Sequence, residues 1–320
     1  MRLLRRFSQM PGDLKGGAFA IGNFDGVHRG HQAVIDAARQ SRKSPLGVLL
    51  FAPHPRRYFQ PDKPLPCLTD LRAKLCLLER LGVDIAVVAP FDARMATRSA
   101  ECFVREVLVE QLCARHVAVG YDFAFGNKRQ GDAQTLQRLA GQNGIDIDIV
   151  KPVVANAKPC SSTRIREALH LGDLAGAADM LGHQWGMGGQ VVYGDGRGRK
   201  LGFPTANIPL EDSALGEAFA LPFGIYAAWV FIETTASSKA YRAALNIGWR
   251  PMFETRRPLL EAHLLGFDGN LYGRRLWVFP MAFLRGEEKF GSLGALRRQM
   301  RLDCLDARKR LGETSGPPGL

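Results

Sequence analysis

Long apolar runs are what this chain most clearly lacks. No stretch of about 18 uninterrupted apolar residues occurs in its 320 positions, so nothing in it is expected to span a membrane. The opening Met-Arg-Leu-Leu-Arg-Arg-Phe is basic. It runs into Ser-Gln-Met-Pro-Gly-Asp rather than an apolar core and does not read as a signal peptide. Cysteine is sparse: six residues, at 67, 76, 102, 113, 160 and 304, form no C-x-x-C pair. That argues against a disulfide framework or a zinc site, suits a reducing cytoplasm, and leaves most of them as small core hydrophobes. Blocks of like charge are missing too. The net charge is +12, yet Lys and Arg are dispersed without a run of five or six, so nucleic acid is not an expected partner. A solubilising surface explains most of the excess, and small polyphosphate ligands are compatible with it. Neither the dinucleotide-binding G-x-G-x-x-G nor the Walker pattern occurs.

What remains is an ordinary globular composition, 46% hydrophobic and 23% charged, at a length that predicts two domains. The first half alternates strands with helical patterns. Strands are expected over 18–22, 46–51, 84–89, 116–120 and 145–150, and helices over 30–42, 70–81, 99–113 and 133–140. This alternation predicts a parallel sheet covered by helices on both faces. Two short helices, 162–169 and 173–181, follow. The texture changes at about Gly182, placing the domains at 1–182 and 183–320. Beyond it come short strands with Gly- and Pro-rich turns, at 190–193, 224–232, 241–247, 260–267 and 275–279, which predict a small antiparallel barrel. A last helix, 292–311, is expected to pack on that barrel through Leu293, Leu296, Met300 and Leu311, and 313–320 reads as a frayed tail.

The strongest local signal is Gly22-Asn23-Phe24-Asp25-Gly26-Val27-His28-Arg29-Gly30-His31, between the first strong strand and the first helix. Ligands of open parallel sheets bind past the carboxyl ends of strands. A Gly-rich turn admits phosphates close to the backbone, and a helix N-terminus offers free N–H donors. His28 and His31, three apart, fall on one face beside those donors. This is chemistry for a nucleoside triphosphate; the plain alternative is a tight turn with two polar caps.

The segment resembles the nucleotidyltransferase signature of the prokaryotic bifunctional riboflavin kinase/FAD synthetase family. Phe51-Ala52-Pro53-His54-Pro55, Gly120-Tyr121-Asp122-Phe123-Ala124-Phe125-Gly126 and Ser161-Ser162-Thr163-Arg164-Ile165-Arg166 resemble further motifs of that family, in the same order. The resemblance implies that His28, His31, Ser162, Thr163 and Arg166 bind the ATP phosphates, together with the Gly22–Asp25 turn and Gly30. It also makes His54, Asp122 and Phe123 candidates for FMN binding, although a turn Asp and a Pro-flanked His are commonly structural. Cys160 stands where the family usually has Ile, and Tyr121 is bulky for its place.

In the second half the informative stretch runs from Gly194 to Asn207 and contains Gly196, Arg197, Gly198, Lys200 and Gly202. Its Gly/Arg/Lys part reads equally as a basic loop over phosphates or a solvated hairpin. Pro204-Thr205-Ala206-Asn207 shifts the balance. In an extended chain Thr205 and Asn207 share a face, and a hydroxyl with an amide oxygen suits Mg²⁺ beside ATP oxygens. The segment resembles the G-F-P-T-A-N motif of the same family's kinase. Asn246-Ile247-Gly248, Pro251, Glu261-Ala262-His263-Leu264-Leu265 and Leu271-Tyr272-Gly273 follow in order, with Met252 where Thr is usual. By resemblance Glu261 is the catalytic carboxylate; the alternative is a rim carboxylate paired to Arg274 or Arg275. The family implies a Rossmann-like α/β/α nucleotidyltransferase domain followed by a Greek-key barrel with a C-terminal helix. It also implies riboflavin, FMN and ATP as substrates, Mg²⁺ as the metal, cytoplasmic location and transient contact with FAD-accepting apoproteins.

Overall fold

In a computed structural model the chain is described over residues 1–7, 10–63, 67–209, 221–233, 239–249 and 258–312. It divides into two compact units, Met1–Pro64 with Lys74–Ser161, and Leu65–Ala73 with Ser162–Leu320.

The first unit is built on β1 (Arg2–Leu4), β2 (Ala18–Ile21), β3 (Leu46–Ala52), β4 (Ile85–Pro90), β5 (His116–Gly120), β6 (Ala124–Phe125), β7 (Gly131–Asp132), β8 (Asp146–Val150), β9 (Val154–Ala155) and β10 (Lys158–Pro159). Six of these form one sheet in the order β1-β4-β3-β2-β5-β8, parallel throughout. β2, β3 and β4 read as continuous apolar runs because such a sheet is covered on both faces. From β2 onward the strands stand 3-2-1-4-5, a doubly wound arrangement whose order reverses between β2 and β5. The crevice at the carboxyl ends of those two strands is therefore the place where a ligand is expected. Sequence periodicity misses β1, whose Arg-Leu-Leu has no alternation, and the two-residue hairpins.

The 99–113 pattern is helical, but only Ala100–Cys102 is α and Phe103–Gln111 is a π-helix. Phe103, Val104, Val107 and Leu108 are buried in it, because a spacing of one and four residues keeps an inward face in either winding.

The second unit holds β11 (Met187–Gln190), β12 (Ala206–Pro209), β13 (Gly224–Ile232), β14 (Ala240–Trp249), β15 (Pro258–Leu264) and β16 (Arg275–Arg285), ordered β11-β16-β13-β14-β15-β12 and antiparallel. Strands β16-β13-β14-β15 stand in the 4-1-2-3 order of a Greek key. A bridge between Val192 and Asn207 nearly closes the barrel. β16 runs well past the expected Phe279. Pro280 is accommodated because the register against β13 shifts beside it, where a ladder N–H is not required. Helix Leu293–Leu311, capped by Ser292, packs on the barrel through Ala307 and Leu311 against Ala227 and Trp229. Leu293, expected in that contact, is instead 72% exposed.

Candidate active sites

In the first unit β2 ends at Ile21, beside the point of strand reversal, and the chain turns sharply. Phe24 and Val27 adopt φ 49° and 45° on either side of Gly26 at 81°, and Val27 N–H donates to the Phe24 carbonyl at 3.2 Å. A β-branched residue in the left-handed region is costly and persists only where the surroundings impose it. Here the fully buried Phe24 and nearly buried Asp25 anchor the turn. His28 is the N-cap of helix Arg29–Gln40, its Nδ1 accepting from the His31 backbone N–H at 3.4 Å. The His28 and His31 rings stack at 3.7 Å, and Phe24 lies 5.3 Å from the His31 ring. A Cβ at Gly30 would come within 3.0 Å of the His28 ring, so glycine there leaves the imidazole its space.

Two buried polar atoms of this turn, Asn23 Oδ1 and His31 Nδ1, have no hydrogen-bond partner. Burial, then the neighbouring His28, then Lys74 hold His31 well below its ordinary pKa, which leaves its ring neutral at pH 7. An N–H at the orphaned His31 Nδ1, beside a helix N-terminus, fits a phosphate oxygen, whereas Asn23 Oδ1 is an acceptor and calls for a donor group on a ligand.

The other expected residues of this module lie as follows. His54 caps the short helix Pro55–Phe59, its Nδ1 accepting from Arg56 N–H at 3.1 Å. Asp122 is exposed just past β5, and Phe123 stacks on Phe125 with centroids 5.5 Å apart. Tyr121 is 51% exposed, which explains how its bulk is accommodated, whereas Cys160 is buried. Ser162 and Thr163 form the first turn of helix Ser162–His170 in the second unit, with Arg166 one turn on.

The second site is assembled across strands. Asn207 of β12 and Asn246 of β14 both stand directly opposite Glu261 of β15, and Ile225 of β13 stands opposite both Asn246 and Arg285. Facing partners in a ladder project to the same side, so Asn207, Glu261, Asn246 and Arg285 form one row. Asn246 Nδ2 donates to Glu261 Oε2 at 3.4 Å. Arg275, one of the two alternative partners for Glu261, pairs with Asp70 at 3.3 Å and Glu233 at 3.8 Å.

Glu261, Asn246 and Arg285 of the row line a cavity of about 370 Å³, together with Thr205, His263 and Arg197 and with Met300 and Cys304 of the C-terminal helix. His263 Nδ1 donates to the Pro204 carbonyl at 2.8 Å and so pins the segment that carries Thr205. Asn207 is 5% exposed and its Oδ1 has no hydrogen-bond partner, an acceptor suited to a hard cation. Gly198 is required by close approach, since a Cβ there would meet the Phe203 carbonyl at 2.4 Å. Gly196 and Gly202 take φ 66° and 87°, bounding the four-residue helix Arg197–Lys200. Arg285 grips Asp303 of the C-terminal helix through two bonds of 2.8 and 2.7 Å, and that pairing raises its pKa. Met252 and Pro251 lie outside the described residues.

The FAD synthetase family model matches residues 11–164 and the riboflavin kinase model residues 181–311. The bifunctional riboflavin kinase/FMN adenylyltransferase of Escherichia coli is 39% identical over 98% of this chain and 99% of its own. This chain belongs to the bifunctional riboflavin kinase/FMN adenylyltransferase family. Family members from Haemophilus influenzae, at 37% identity over 96% and 98% of the two chains, and Bacillus subtilis, at 33% over 90% of each, are similar along the same span. A solved Streptococcus pneumoniae structure, described as a macrolide-efflux protein, superposes with a TM-score of 0.80. It is 26% identical over 94% of this chain and 96% of that one. Among the described residues no helix is long and apolar enough to cross a membrane.

Sequence reasoning on this family member missed the contact of Asn246 with Glu261, the Arg285–Asp303 pair and Lys74, whose Nζ donates to the Asn23 carbonyl at 2.7 Å. Only strand register brings the first together. The other two turn on Asp303 and Lys74, charged residues on helices, which sequence alone reads as solvated.

Proposed function

We propose that this chain performs both activities of its family: transfer of the ATP γ-phosphoryl group to riboflavin, giving FMN and ADP, and then transfer of AMP from ATP to FMN, giving FAD and pyrophosphate. The observation that carries the kinase half is the Glu261–Asn246 contact on the cavity wall, with Asn207 opposite Glu261 on the next strand. In this reading Glu261 is the general base that takes the proton of the ribityl 5′-hydroxyl, and Asn246 orients its carboxylate. Thr205 and Asn207 hold Mg²⁺, which neutralises phosphate charge when bound. Gly196, Arg197, Gly198, Lys200, Gly202 and Pro204 form the loop over nucleotide and flavin.

In the adenylyl-transfer half the FMN phosphate oxygen attacks the α-phosphorus as the bond to pyrophosphate breaks, with no covalent enzyme intermediate. His28, His31, the Gly22–Asp25 turn, Gly30, Ser162, Thr163 and Arg166 bind and orient the phosphates. His54, Asp122 and Phe123 are assigned to FMN. The functional modules are 1–182 and 183–320. The six free cysteines suit action in the cytoplasm, with FAD passed on by transient contact with apoproteins. The deciding experiment is incubation with riboflavin, ATP and Mg²⁺ followed by chromatography. FMN and then FAD are expected, and a chain that yields neither overturns the reading.

A further inference from the structure

Resting on the reading of Glu261 as the kinase base, we infer that Asn246 is a substrate-binding residue of that site. Its Oδ1 accepts a hydrogen bond from a secondary hydroxyl of the ribityl chain, close to the terminal hydroxyl that Glu261 deprotonates, and so selects flavins that carry a polyol.

Asn207 and Asn246 face Glu261 from the strands on either side of β15, and the three side chains project to one side. Each asparagine has a buried side-chain oxygen with no hydrogen-bond partner among the described residues. The two oxygens differ in what lies before them. Asn246 lines the cavity together with Glu261, whereas Asn207 does not. In the proposed reading the Asn207 oxygen goes to Mg²⁺, which leaves the Asn246 oxygen unaccounted for. A buried amide oxygen without a partner is costly, so it calls for a donor that arrives with the ligand.

The neighbouring side chains of the row offer no such donor. As a proton acceptor Glu261 presents oxygens without hydrogens, so the amide turns its Nδ2 to that carboxylate, at 3.4 Å, and keeps Oδ1 for another group. The facing residue on the other side of Asn246 is Ile225, which is apolar. Arg285, next in the row, directs Nε and Nη2 to Asp303 and Nη1 to the Gly286 carbonyl.

The ligand's donor therefore lies beside the hydroxyl that Glu261 deprotonates. In riboflavin the ring N–H is at the far end of the molecule from the chain terminus. The donors beside the terminal hydroxyl are the secondary hydroxyls of the same chain. Acceptors on adjacent strands stand about 5 Å apart, a span that two hydroxyls of one polyol chain can bridge. The cavity is apolar at Ile225, Leu296 and Met300, a wall suited to the flavin ring that leaves the chain to the polar row.

The test compares riboflavin with a flavin whose N10 carries a 5-hydroxypentyl chain, which keeps the reacting hydroxyl and lacks the secondary ones. Both are assayed for phosphorylation by the full chain with ATP and Mg²⁺. The parent is expected to favour riboflavin by about 10²-fold or more in kcat/KM, as a site built around a substrate hydroxyl does. In Asn246→Leu, similar in size but with neither polar atom, that preference should shrink about 10–100-fold. The lost bond to Glu261 slows both flavins alike and cancels in the ratio. Asn246→Asp keeps the acceptor oxygen. It should slow both flavins, because a second carboxylate then faces Glu261, yet retain the preference for riboflavin.

A parent that phosphorylates both flavins equally well overturns the inference and leaves the kinase reading standing, as does an Asn246→Leu preference equal to the parent's. If Asn246→Leu turns over neither flavin, Asn246→Asp decides, and a preference lost there overturns the inference. A parent that phosphorylates no flavin sinks the kinase reading instead. Quenching of flavin fluorescence then decides Asn246 alone: riboflavin should bind more tightly than the hydroxypentyl flavin in the parent and not in Asn246→Leu.

Discussion

In the proposed reading the two units meet one problem, the handling of ATP phosphates, with opposite construction. The groups that the α/β unit itself contributes are contiguous: ten residues, Gly22 to His31, make a strand end, a strained turn and a helix start. Backbone conformation and a helix terminus shape that segment. In the barrel the groups come from strands far apart in sequence, with Asn207, Asn246 and Glu261 meeting only through ladder register. The first site depends on local backbone geometry, the second on long-range pairing. Changes to single side chains should therefore have different consequences in the two.

The largest expected effects come from a crossed pair. Glu261→Gln keeps size and removes the proton-accepting charge, so riboflavin phosphorylation should fall about 10²–10⁴-fold in kcat, with little change in riboflavin KM. FAD formation from supplied FMN should continue. His31→Ala should do the reverse, abolishing adenylylation while riboflavin phosphorylation persists. Paired assays on each purified variant check this. A Glu261→Gln kinase within a few-fold of the parent would remove the general-base role. Loss of both activities in either variant would break the independence of the two constructions.

Next in size is a stability effect confined to the barrel unit. Asp303 is 6% exposed and takes two hydrogen bonds from Arg285 and one from Gln299 at 3.0 Å. Asp303→Ala leaves the guanidinium only the exposed Glu288, at 3.7 Å, as a counter-charge, so the cost should approach the ~3–5 kcal/mol of breaking a buried pair. Urea unfolding should show an earlier barrel transition, with kinase activity lost before adenylylation. An unchanged transition would mean that the pair is solvated in solution and that helix Leu293–Leu311 is held by its apolar contacts alone.

The same contrast explains what the sequence made legible. The parallel sheet follows from apolar runs alternating with helical patterns, and the first site from one uninterrupted motif in which Gly26 takes a positive φ and Gly30 leaves room for the His28 ring. Glu261 was recognisable from the pieces around it, but its setting was not. Whether it faces Asn246 or Arg275 is decided by strand register, which no local pattern encodes. The winding of Phe103–Gln111 was hidden for another reason, since the same buried positions serve an α- or a π-helix. Asp303 and Lys74 were invisible because an isolated charge on a helix is usually solvated. Burial is known only when the opposing element is in place.

The smallest effect is also the most selective probe of the second construction. Cys304 lines the barrel cavity, and its thiol is pushed up to about 11, by burial first and the neighbouring Asp303 second, with Arg308 opposing. Only the thiolate is reactive, so at pH 8 about 10⁻³ of the residue is competent. Alkylation should be slow and should rise about tenfold per pH unit until near that pKa. The exposed Cys76 serves as a reference in the same chain. Riboflavin should slow the reaction further by filling the cavity, whereas FMN adenylylation should be indifferent to the modified thiol. Asp303→Asn removes one cause of the raised pKa and leaves burial, so Cys304 should become modestly faster in it. Mass spectrometry of peptides after timed alkylation reads each rate. If Cys304 reacts as fast as Cys76 and ignores riboflavin, the cavity is open and the flavin binds elsewhere. If protection appears and FAD synthesis from FMN is unaffected, the two sites work independently within one chain.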